Sequence, residues 1–487
     1  MTNWRWWICS LLFVATTVNY LDRQVLSLTY KEFIAPTFHW TDADYGTITS
    51  LFSIVYAFAC LFAGKFVDWM GTKKGYLIAI GVWSLGAVMH AGCGVATTWF
   101  VGDVDATEAL RTLEAGSEIA LTLSTVSVYL FILCRGILAL GEAGNFPAAI
   151  KATAEYFPKK DRAFATSVFN AGASVGALVA PLVIPPLAKH FGWEMAFIII
   201  GGLGFIWMFF WQFMYDKPEE SKHVNEAELA YIHQDDDPSA ISSEASSVIS
   251  SEVEKSPAAE EKAIPMLRCF RYRQTWSFIV GKFLTDGVWW FFLFWAPAYF
   301  QDQFHAPASS PLGQGLIFTL YAIVTVISLF GGYLPKLFVE KKGMHPYRGR
   351  MLAMLIFAFF PLVAMAAQPL GAMSPWWPAV LIGLAGAGHQ AWSANIFSTV
   401  GDMFPKSTIA SITGIGTMAG GIGSMIVQKV AGNLFTFAEG QGAAFRFMGF
   451  EGKPAGYFIM FCFCGLAYLL AWMLMKSLVP RYKPVEL

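Results

Sequence analysis

Long apolar stretches recur along nearly the whole chain, separated by short polar or Gly/Pro-containing connections. An apolar stretch of about 20 residues crosses the hydrocarbon core of a bilayer as an α-helix, and a window of about 19 residues locates such stretches. The predicted spans lie near residues 8–30, 45–66, 76–100, 122–154, 162–187, 193–215, 275–300, 313–337, 350–368, 376–402, 408–434 and 455–476. The pattern therefore predicts an all-α membrane protein with twelve spanning helices.

The connection between the sixth and seventh spans is long and polar. Its residues 234–262 combine repeated Ser with Glu and Lys, which is typical of a disordered linker. Just before it, Asn225 and Glu228 have the spacing of a capping box and predict a short surface helix. We therefore predict three regions: an N-terminal six-helix bundle (1–216), a partly disordered cytoplasmic linker (217–273) and a C-terminal six-helix bundle (274–487).

An internal repeat relates the two predicted bundles. The tripeptide Phe-Pro-Lys at 157–159 returns at 404–406, an offset of 247, and several glycines follow the same offset. Parallel repeats of this kind place a substrate site near the bilayer midplane between the halves. The same offset aligns His389 with Glu142, so each half has a titratable group at the equivalent position.

Basic residues predict the orientation, because cytoplasmic connections carry an excess of Lys and Arg. One side has Lys73, Lys74, Lys159, Lys160, Arg162, Lys217, Lys222, Arg268, Arg271, Arg273, Lys341, Lys342, Arg348, Arg350, Lys406, Lys476, Arg481 and Lys483. The other has only Lys31, Arg111, Lys189, Arg446 and Lys453. Both termini and the linker are therefore predicted to be cytoplasmic. The acidic connection 103–118 on the other side is predicted to be a solvated insertion without an assigned role.

Composition and motifs exclude several classes of protein. The chain is 56% hydrophobic and 14% charged, and its seven cysteines, mostly within apolar stretches, argue against a disulfide framework. The sequence has no glycine-rich phosphate loop, no His/Cys metal spacing and no nucleophile with an adjacent base. We therefore expect no enzyme, metal site or cofactor. The linker and tail are short for an output domain and lack the pattern of one, which argues against a nutrient-sensing receptor, the alternative from another class.

Charged residues inside the predicted spans are the best candidates for function. Such a residue costs a few kcal/mol at membrane depth and is rarely kept without a partner or a pathway. Arg135 and Glu142 are two helical turns apart with Asn145 one turn beyond, so they predict one polar stripe facing inward. A structural charge network without a ligand is the alternative. Lys282 and Asp286 lie near the cytoplasmic start of a span, and for both residues snorkelling or a local i,i+4 pair is the alternative to a functional role. The intramembrane charged residues are Asp22, Arg23, Arg135, Glu142, Lys282 and Asp286.

Several segments resemble a known family. Residues 64–74 resemble the signature loop of the major facilitator superfamily, and residues 19–27 and 135–147 resemble the first and fourth helices of its anion:cation symporter family. Residues 193–199 and 282–292 are similar to hexuronate (glucuronate/galacturonate) transporters. The resemblance implies a major facilitator fold with 12 transmembrane helices in two pseudo-symmetric six-helix bundles. It also implies a cytoplasmic gate formed by Gly64, Asp68, Gly71, Lys73 and Lys74, in which glycine permits close helix approach and Asp68 pairs with basic groups.

The resemblance further implies proton binding by Asp22 and Glu142, with Arg135 as the charge partner of Glu142. Burial of a carboxylate favours its neutral form whereas a neighbouring arginine favours the ionised form, so movement of an arginine can switch protonation. Protons are thus the expected coupling ion, with no other cofactor.

A sugar-acid anion offers a carboxylate and several hydroxyl groups, and Arg23 supplies a planar fork for the carboxylate. For the aromatic candidates, packing or an interfacial belt is the alternative, and for His389 it is a neutral buried histidine with one hydrogen bond. The predicted substrate-binding residues are Arg23, Tyr56, Asn145, Asn170, Lys282, Trp289, His389, Gln390 and Trp392.

Together these features predict a proton-coupled symporter that imports hexuronates by alternating access. Galactonate or glucarate is the alternative substrate within transport. The expected protein is a multi-pass monomer of the bacterial inner membrane, with the lipid bilayer and a small sugar-acid anion as its partners and no nucleic acid.

Overall fold

The computed structural model describes residues 2–102, 111–114, 116–234, 265–328, 330–405 and 408–485. Within these ranges the chain is almost entirely helical. The α-helices are α1 (Trp4–Thr29), α2 (Ala35–Phe38), α3 (Asp42–Met70), α4 (Thr72–Met89), α5 (Cys93–Val101), α6 (Glu118–Glu142), α7 (Asn145–Tyr156), α8 (Lys159–Phe191), α9 (Trp193–Met214), α10 (Glu226–Ile232), α11 (Met266–Cys269), α12 (Arg273–Phe304), α13 (Pro311–Ser328), α14 (Phe330–Lys342), α15 (Pro346–Ala358), α16 (Ala367–Gly371), α17 (Trp376–Met403), α18 (Ile409–Gln441) and α19 (Gly452–Leu478). A short antiparallel hairpin joins β1 (Arg446–Phe447) to β2 (Phe450–Glu451).

The helices follow the predicted spans closely. In the described ranges, nine helical segments are long and apolar enough to cross a membrane. Three further long helices, α1, α17 and α18, coincide with the predicted first, tenth and eleventh spans but contain more charged, polar or glycine residues. The predicted all-helical architecture is therefore confirmed.

Three predicted spans are interrupted rather than continuous. The third changes to a 3₁₀ turn at His90–Gly92, and the ninth does so at Pro361–Ala366, where proline cannot donate a helical hydrogen bond. The fourth is broken between α6 and α7 by Ala143 and Gly144. There, a Cβ added at Gly141 would overlap the α4 backbone, so close helix packing fixes the position of the break.

The repeat predicted from the sequence is visible in the helix ends. Helix α7 ends at Tyr156 and α17 at Met403, which keeps the offset of 247. In both places the next residue, Phe157 or Phe404, has extended backbone geometry. The two halves therefore share this local turn, although only the first half has a break in the preceding helix.

The beginning of the linker is attached to the start of α1. Helix α10 begins as predicted, with the Asn225 side chain accepting a hydrogen bond from the Glu228 N–H. The buried Glu228 carboxylate accepts from the backbone N–H groups of Trp4 at 3.1 Å and Arg5 at 3.2 Å, and from the Thr2 hydroxyl. Burial raises the pKa of Glu228, but these hydrogen bonds and the Arg5 charge outweigh it, so the pKa lies below its usual value.

Two sequence predictions fall partly outside the described residues. They are the central part of the linker, 235–264, and most of the acidic connection, 103–110 and 115. Residues 217–234 of the linker, which include α10, pack against the first half of the chain through Glu228.

The two halves meet along α3 and α18. Gly46 and Gly432 lie where these helices approach closely: a Cβ added at Gly46 would lie 2.9 Å from the Gly432 Cα. Larger side chains at these positions would push the helices apart. We call the side of the molecule opposite the chain termini the distal side, and the side that contains the termini the terminal side.

Candidate functional site

Arg23 and Glu142 form a buried ion pair between α1 and the end of α6. The guanidinium donates from Nε at 2.9 Å and from Nη2 at 2.6 Å to the same oxygen of Glu142, Oε2. Both side chains are buried. Since the break after α6 ends the helix at Glu142, this carboxylate lies where the chain leaves one helix and begins the next.

Aromatic rings from both halves surround the Arg23 guanidinium. Its central carbon lies 4.9 Å from the ring centroid of Tyr56 on α3 and 4.9 Å from that of Trp290 on α12. The ring centroids of Phe52 and Trp290 are themselves 5.7 Å apart. Arg23 therefore belongs to the first half but is covered in part by the second, as expected for a site between two bundles.

Arg135 lies near Glu142, but it makes its hydrogen bond to another residue. Its Nη2 donates to the backbone carbonyl of Arg23 at 3.2 Å, and its guanidinium carbon lies 4.9 Å from the Phe52 ring centroid. Glu142 therefore forms its direct ion pair with Arg23, and the role of Arg135 as a charge partner of Glu142 stays a prediction. The spacing along α6 shows that Arg135 and Glu142 share a face of the helix. It does not show that Arg23 of α1 contacts both residues.

Asp22 is buried beside this pair. Within the described part of the chain, neither of its carboxylate oxygens has a hydrogen-bond partner of good geometry. Its charged neighbours include Glu142 and Arg135. Two carboxylates and two arginines thus share one buried region of the first half.

The second half has its own buried ion pair on α12. Lys282 Nζ lies 2.7 Å from Asp286 Oδ2, with the side chains 6% and 13% exposed. The Lys282 ammonium also lies 4.4 Å from the Phe397 ring centroid on α17. The local i,i+4 pair expected from the spacing is therefore present.

His389 is hydrogen-bonded and stacked. Its Nδ1 lies 2.7 Å from the Tyr468 hydroxyl, which in turn donates to the backbone carbonyl of Thr285 at 3.2 Å. The imidazole stacks on Trp289 with ring centroids 5.6 Å apart. This is the buried, bonded histidine of the alternative interpretation, and it lies beside the Lys282 helix.

The other predicted substrate residues are in varied environments. Asn145 is buried and its Oδ1 accepts from the Tyr76 hydroxyl at 2.7 Å, which leaves Nδ2 without a partner in the described chain. Trp392 is fully buried against Tyr468. Asn170 is exposed and Gln390 half-buried, and no hydrogen bond or ion pair of the described residues joins either to the two pairs.

The loop predicted to form a gate connects α3 to α4 on the terminal side. Gly71 has a φ of 78°, a left-handed value that favours glycine, and so allows the one-residue turn. Asp68 pairs with Lys151 at 2.9 Å, and Lys73 pairs with Asp216 at 2.8 Å. Gly64 does not provide the close approach expected of it, since a Cβ there would meet no neighbouring atom within 4 Å. Lys74 is exposed.

A second charged cluster, which the sequence analysis did not identify, joins the halves on the distal side. Lys31 lies 3.1 Å from Asp42 and 3.3 Å from Asp302, while Lys453 lies 2.8 Å from Asp302 and also contacts Asp42. Lys31 and Asp42 belong to the first half, and Asp302 and Lys453 to the second. We call these four residues the distal cluster. The only available signal was that Lys31 and Lys453 are among the few basic residues predicted on this side.

Further hydrogen bonds link the halves from the middle of the spans to the distal side. Near the start of α3, the Tyr45 hydroxyl donates to the Phe294 carbonyl at 2.9 Å. Deeper along the same helix, the Ser53 and Ser424 hydroxyl oxygens are 3.1 Å apart. The two halves are therefore held together on the distal side of the Arg23 site.

Membrane-length helices that bury charged side chains define a multi-pass membrane protein. A sequence model of the Major Facilitator Superfamily matches residues 12–428, and the chain belongs to this family of transporters rather than to a family of enzymes.

Several curated relatives are similar over most of their length. The hexuronate transporter of Escherichia coli (strain K12) is 26% identical over 436 residues, which cover 88% of this chain and 87% of the relative. The D-galactonate transporter of Escherichia coli O6:H1 is 25% identical and covers 89% of each chain. The probable galactarate/D-glucarate transporter of Escherichia coli (strain K12) is 25% identical and covers 91% of each.

Solved structures share the fold. A bacterial homologue of the human lysosomal transporter Spinster, in an inward-facing and occupied conformation, superposes with a TM-score of 0.66 at 16% identity and covers 99% of both chains. A D-xylose–proton symporter superposes with a TM-score of 0.63 at 15% identity and covers 96% of both. The predicted major facilitator fold is therefore confirmed.

Proposed function

We propose that this protein is a proton-coupled symporter that imports hexuronates, such as glucuronate and galacturonate, by alternating access. The observation that carries the proposal is the buried Arg23 guanidinium, which is held by the Glu142 carboxylate and covered by rings from both halves. The similarity to a hexuronate transporter supports a sugar-acid substrate.

In this mechanism Arg23 has two competing partners. A guanidinium presents a planar fork that fits a carboxylate, and Glu142 occupies it in the structure. Protonation of Glu142 removes its charge, which frees the fork for the substrate carboxylate. Asp22 is proposed as a second proton-binding carboxylate and Arg135 as the cation that keeps the region neutral. Substrate and proton are then linked through one arginine.

The remaining parts of the substrate would meet hydroxyl, amide and aromatic groups. Tyr56 stands beside Arg23, and the free Nδ2 of Asn145 can donate to a sugar hydroxyl. The full set that we propose to line the substrate path is Arg23, Tyr56, Asn145, Asn170, Lys282, Trp289, His389, Gln390 and Trp392.

We further propose that both termini are cytoplasmic, so that the distal side faces outward. The bonds between Tyr45 and Phe294 and within the distal cluster then close the external side, which corresponds to an inward-facing state. On the cytoplasmic side the gate would consist of Gly64, Asp68, Gly71, Lys73 and Lys74. The Asp68–Lys151 and Lys73–Asp216 pairs support this role.

Uptake of labelled glucuronate into proteoliposomes under an inward proton gradient tests the proposal. Unlabelled galacturonate, galactonate and glucarate serve as competitors. We expect gradient-dependent accumulation and the strongest competition from galacturonate. Glucuronate accumulation that is the same with and without the proton gradient would contradict proton coupling. Binding of glucuronate without accumulation would indicate a receptor.

A second candidate substrate is galactonate or glucarate, which the names of two relatives at 25% identity favour. Stronger competition by either compound in the same assay would select it. We also propose that the protein works as a monomer in the bacterial inner membrane, with residues 1–216 and 274–487 as its two bundles. Light scattering of the solubilised protein measures the oligomeric state.

A further inference from the structure

Lys282 lies too far inside α12 for its side chain to snorkel to the membrane surface. Lys282 is nine residues after Arg273, the start of the helix, or about 14 Å along its axis. A snorkelling lysine extends its ammonium toward the nearer membrane surface. Here the ammonium points to Asp286, one turn further from the helix start. The pair is therefore a buried ion pair that has turned away from the surface.

The pair lies on the same face of α12 as the residue that contacts Arg23. Lys282, Asp286 and Trp290 are four residues apart, so they share one face. The Trp290 ring lies 4.9 Å from the Arg23 guanidinium. Asp286 is then about 6 Å and Lys282 about 12 Å along the helix axis from the level of Arg23. A sugar acid that places one carboxylate on Arg23 would therefore extend its other end toward this pair.

The backbone of α18 closes the back of the pair. A Cβ added at Gly420 would overlap the Asp286 carboxylate, so only glycine leaves room for it there. Phe397 covers the ammonium from α17. The Asp286 carboxylate is therefore held in place, and Lys282 has an internal counter-ion before any substrate arrives.

We propose that Asp286 is a specificity-determining residue that makes the site prefer sugar acids with one carboxylate over those with two. This inference rests on the proposed function, in which Arg23 binds one carboxylate. A second carboxylate at the other end of the sugar would approach Lys282, where it is repelled by Asp286 or must displace it. Displacement leaves a buried carboxylate without its partner, which is strongly unfavourable. A sugar acid whose second end is uncharged meets no such penalty.

The test compares glucuronate with glucarate, which have the same number of carbons but one and two carboxylates. Their binding to the purified protein is measured by ligand-induced thermal stabilisation, which does not depend on transport. In Asp286→Asn, Lys282 is free for the second carboxylate, so the glucarate to glucuronate affinity ratio should rise about tenfold or more, the size of one charge-assisted hydrogen bond. Asp286→Glu should keep the original ratio.

Two further variants secure the interpretation. Adding Lys282→Gln to Asp286→Asn should abolish the gain, because the cation is then lost. Gly420→Ala, which pushes the carboxylate off Lys282, should raise the ratio in part and keeps the test available if Asp286→Asn does not fold. Glu340→Gln is the matched control, because Glu340 forms an exposed i,i+4 pair with Lys336 in the same half and should leave the ratio unchanged.

An unchanged ratio in both Asp286→Asn and Gly420→Ala would overturn the proposal. So would a gain that survives the addition of Lys282→Gln. If the unaltered protein binds neither compound, the proposed function itself has failed, and this outcome is distinct because it appears before any variant is compared.

Discussion

Lys453 is the distal-cluster cation whose removal should most change the balance between conformations. Its side chain is 10% exposed, and it contacts Asp42, which is fully buried, and Asp302, which is 12% exposed. Its third partner, Glu439, is largely exposed, so that contact is screened by water and contributes little. Substitution by Met keeps the length of the side chain but leaves two carboxylates to share Lys31.

The size of the effect follows from these contacts. Removing one partner of a buried ion pair costs about 3–5 kcal/mol, because the other charge stays buried. Lys31 remains 3.1 Å from Asp42 and 3.3 Å from Asp302, so we take the lower end, about 3 kcal/mol. When the distal side opens, the carboxylates regain water, and the cost therefore falls on the closed state. The ratio of open to closed molecules should rise about 100-fold.

Labelling of a cysteine between the halves measures this shift. Ser53 is buried opposite Ser424, and Ser53→Cys in a background without the seven native cysteines reports access from the distal side. A membrane-impermeant maleimide added on that side should react about 100-fold faster in Lys453→Met, in line with the population change. The matched control is Arg446→Met, which breaks an exposed pair with Glu451 on the same side and should have no effect.

Restoring the charge balance separates electrostatics from general damage. In Lys453→Met with Asp302→Asn, Lys31 again faces a single buried carboxylate, so the labelling rate should return toward its original value. A folded Lys453→Met protein that labels at the original rate would refute the reasoning. A fast rate that Asp302→Asn does not reduce would show that lost packing, not charge, opened the distal side.

Three other predictions concern the candidate site and the linker. Glu142→Gln should lose uptake driven by a proton gradient but keep counterflow exchange in paired proteoliposome assays; full gradient-driven accumulation would remove Glu142 from the proton pathway. Arg23→Ala should abolish glucuronate binding and Arg23→Lys retain little of it, because a point charge cannot replace the fork, and unchanged affinity in calorimetry would exclude Arg23 as the ligand. Glu228→Gln should destabilise the α10–α1 contact by about 1–3 kcal/mol at pH values above the normal carboxyl pKa of about 4.3, and it should have no effect once the pH falls below the pKa of Glu228 in the folded protein. The measurement is the rate of proteolysis of the linker. Equal rates in the variant and the unaltered protein at neutral pH would contradict the prediction.

The buried Arg23 and Glu142 were both predicted from the sequence because a charge within an apolar stretch is visible without any structure. Their pairing was not. Arg23 and Glu142 are 119 residues apart, and the family resemblance implied Arg135 as the charge partner of Glu142. A similar limit applied to Glu228, whose spacing predicted a cap for its own helix. The structure shows that its carboxylate instead caps the start of α1.

The sequence by itself determined the local features of this protein. The lengths of the apolar stretches determined where the spanning helices lie. The repeated segment at an offset of 247 residues determined that the same turn follows Tyr156 and Met403. Gly71 allows the turn between α3 and α4. Each of these depends on interactions between near neighbours in the chain or on the solvent that a stretch prefers. Only the tertiary structure decided which charges meet. The four residues of the distal cluster lie at or next to the ends of separate helices, and they meet only when those helices pack together. The sequence of one helix does not specify which residues of a neighbouring helix it contacts. The ion pairs between helices are therefore seen only in the folded structure.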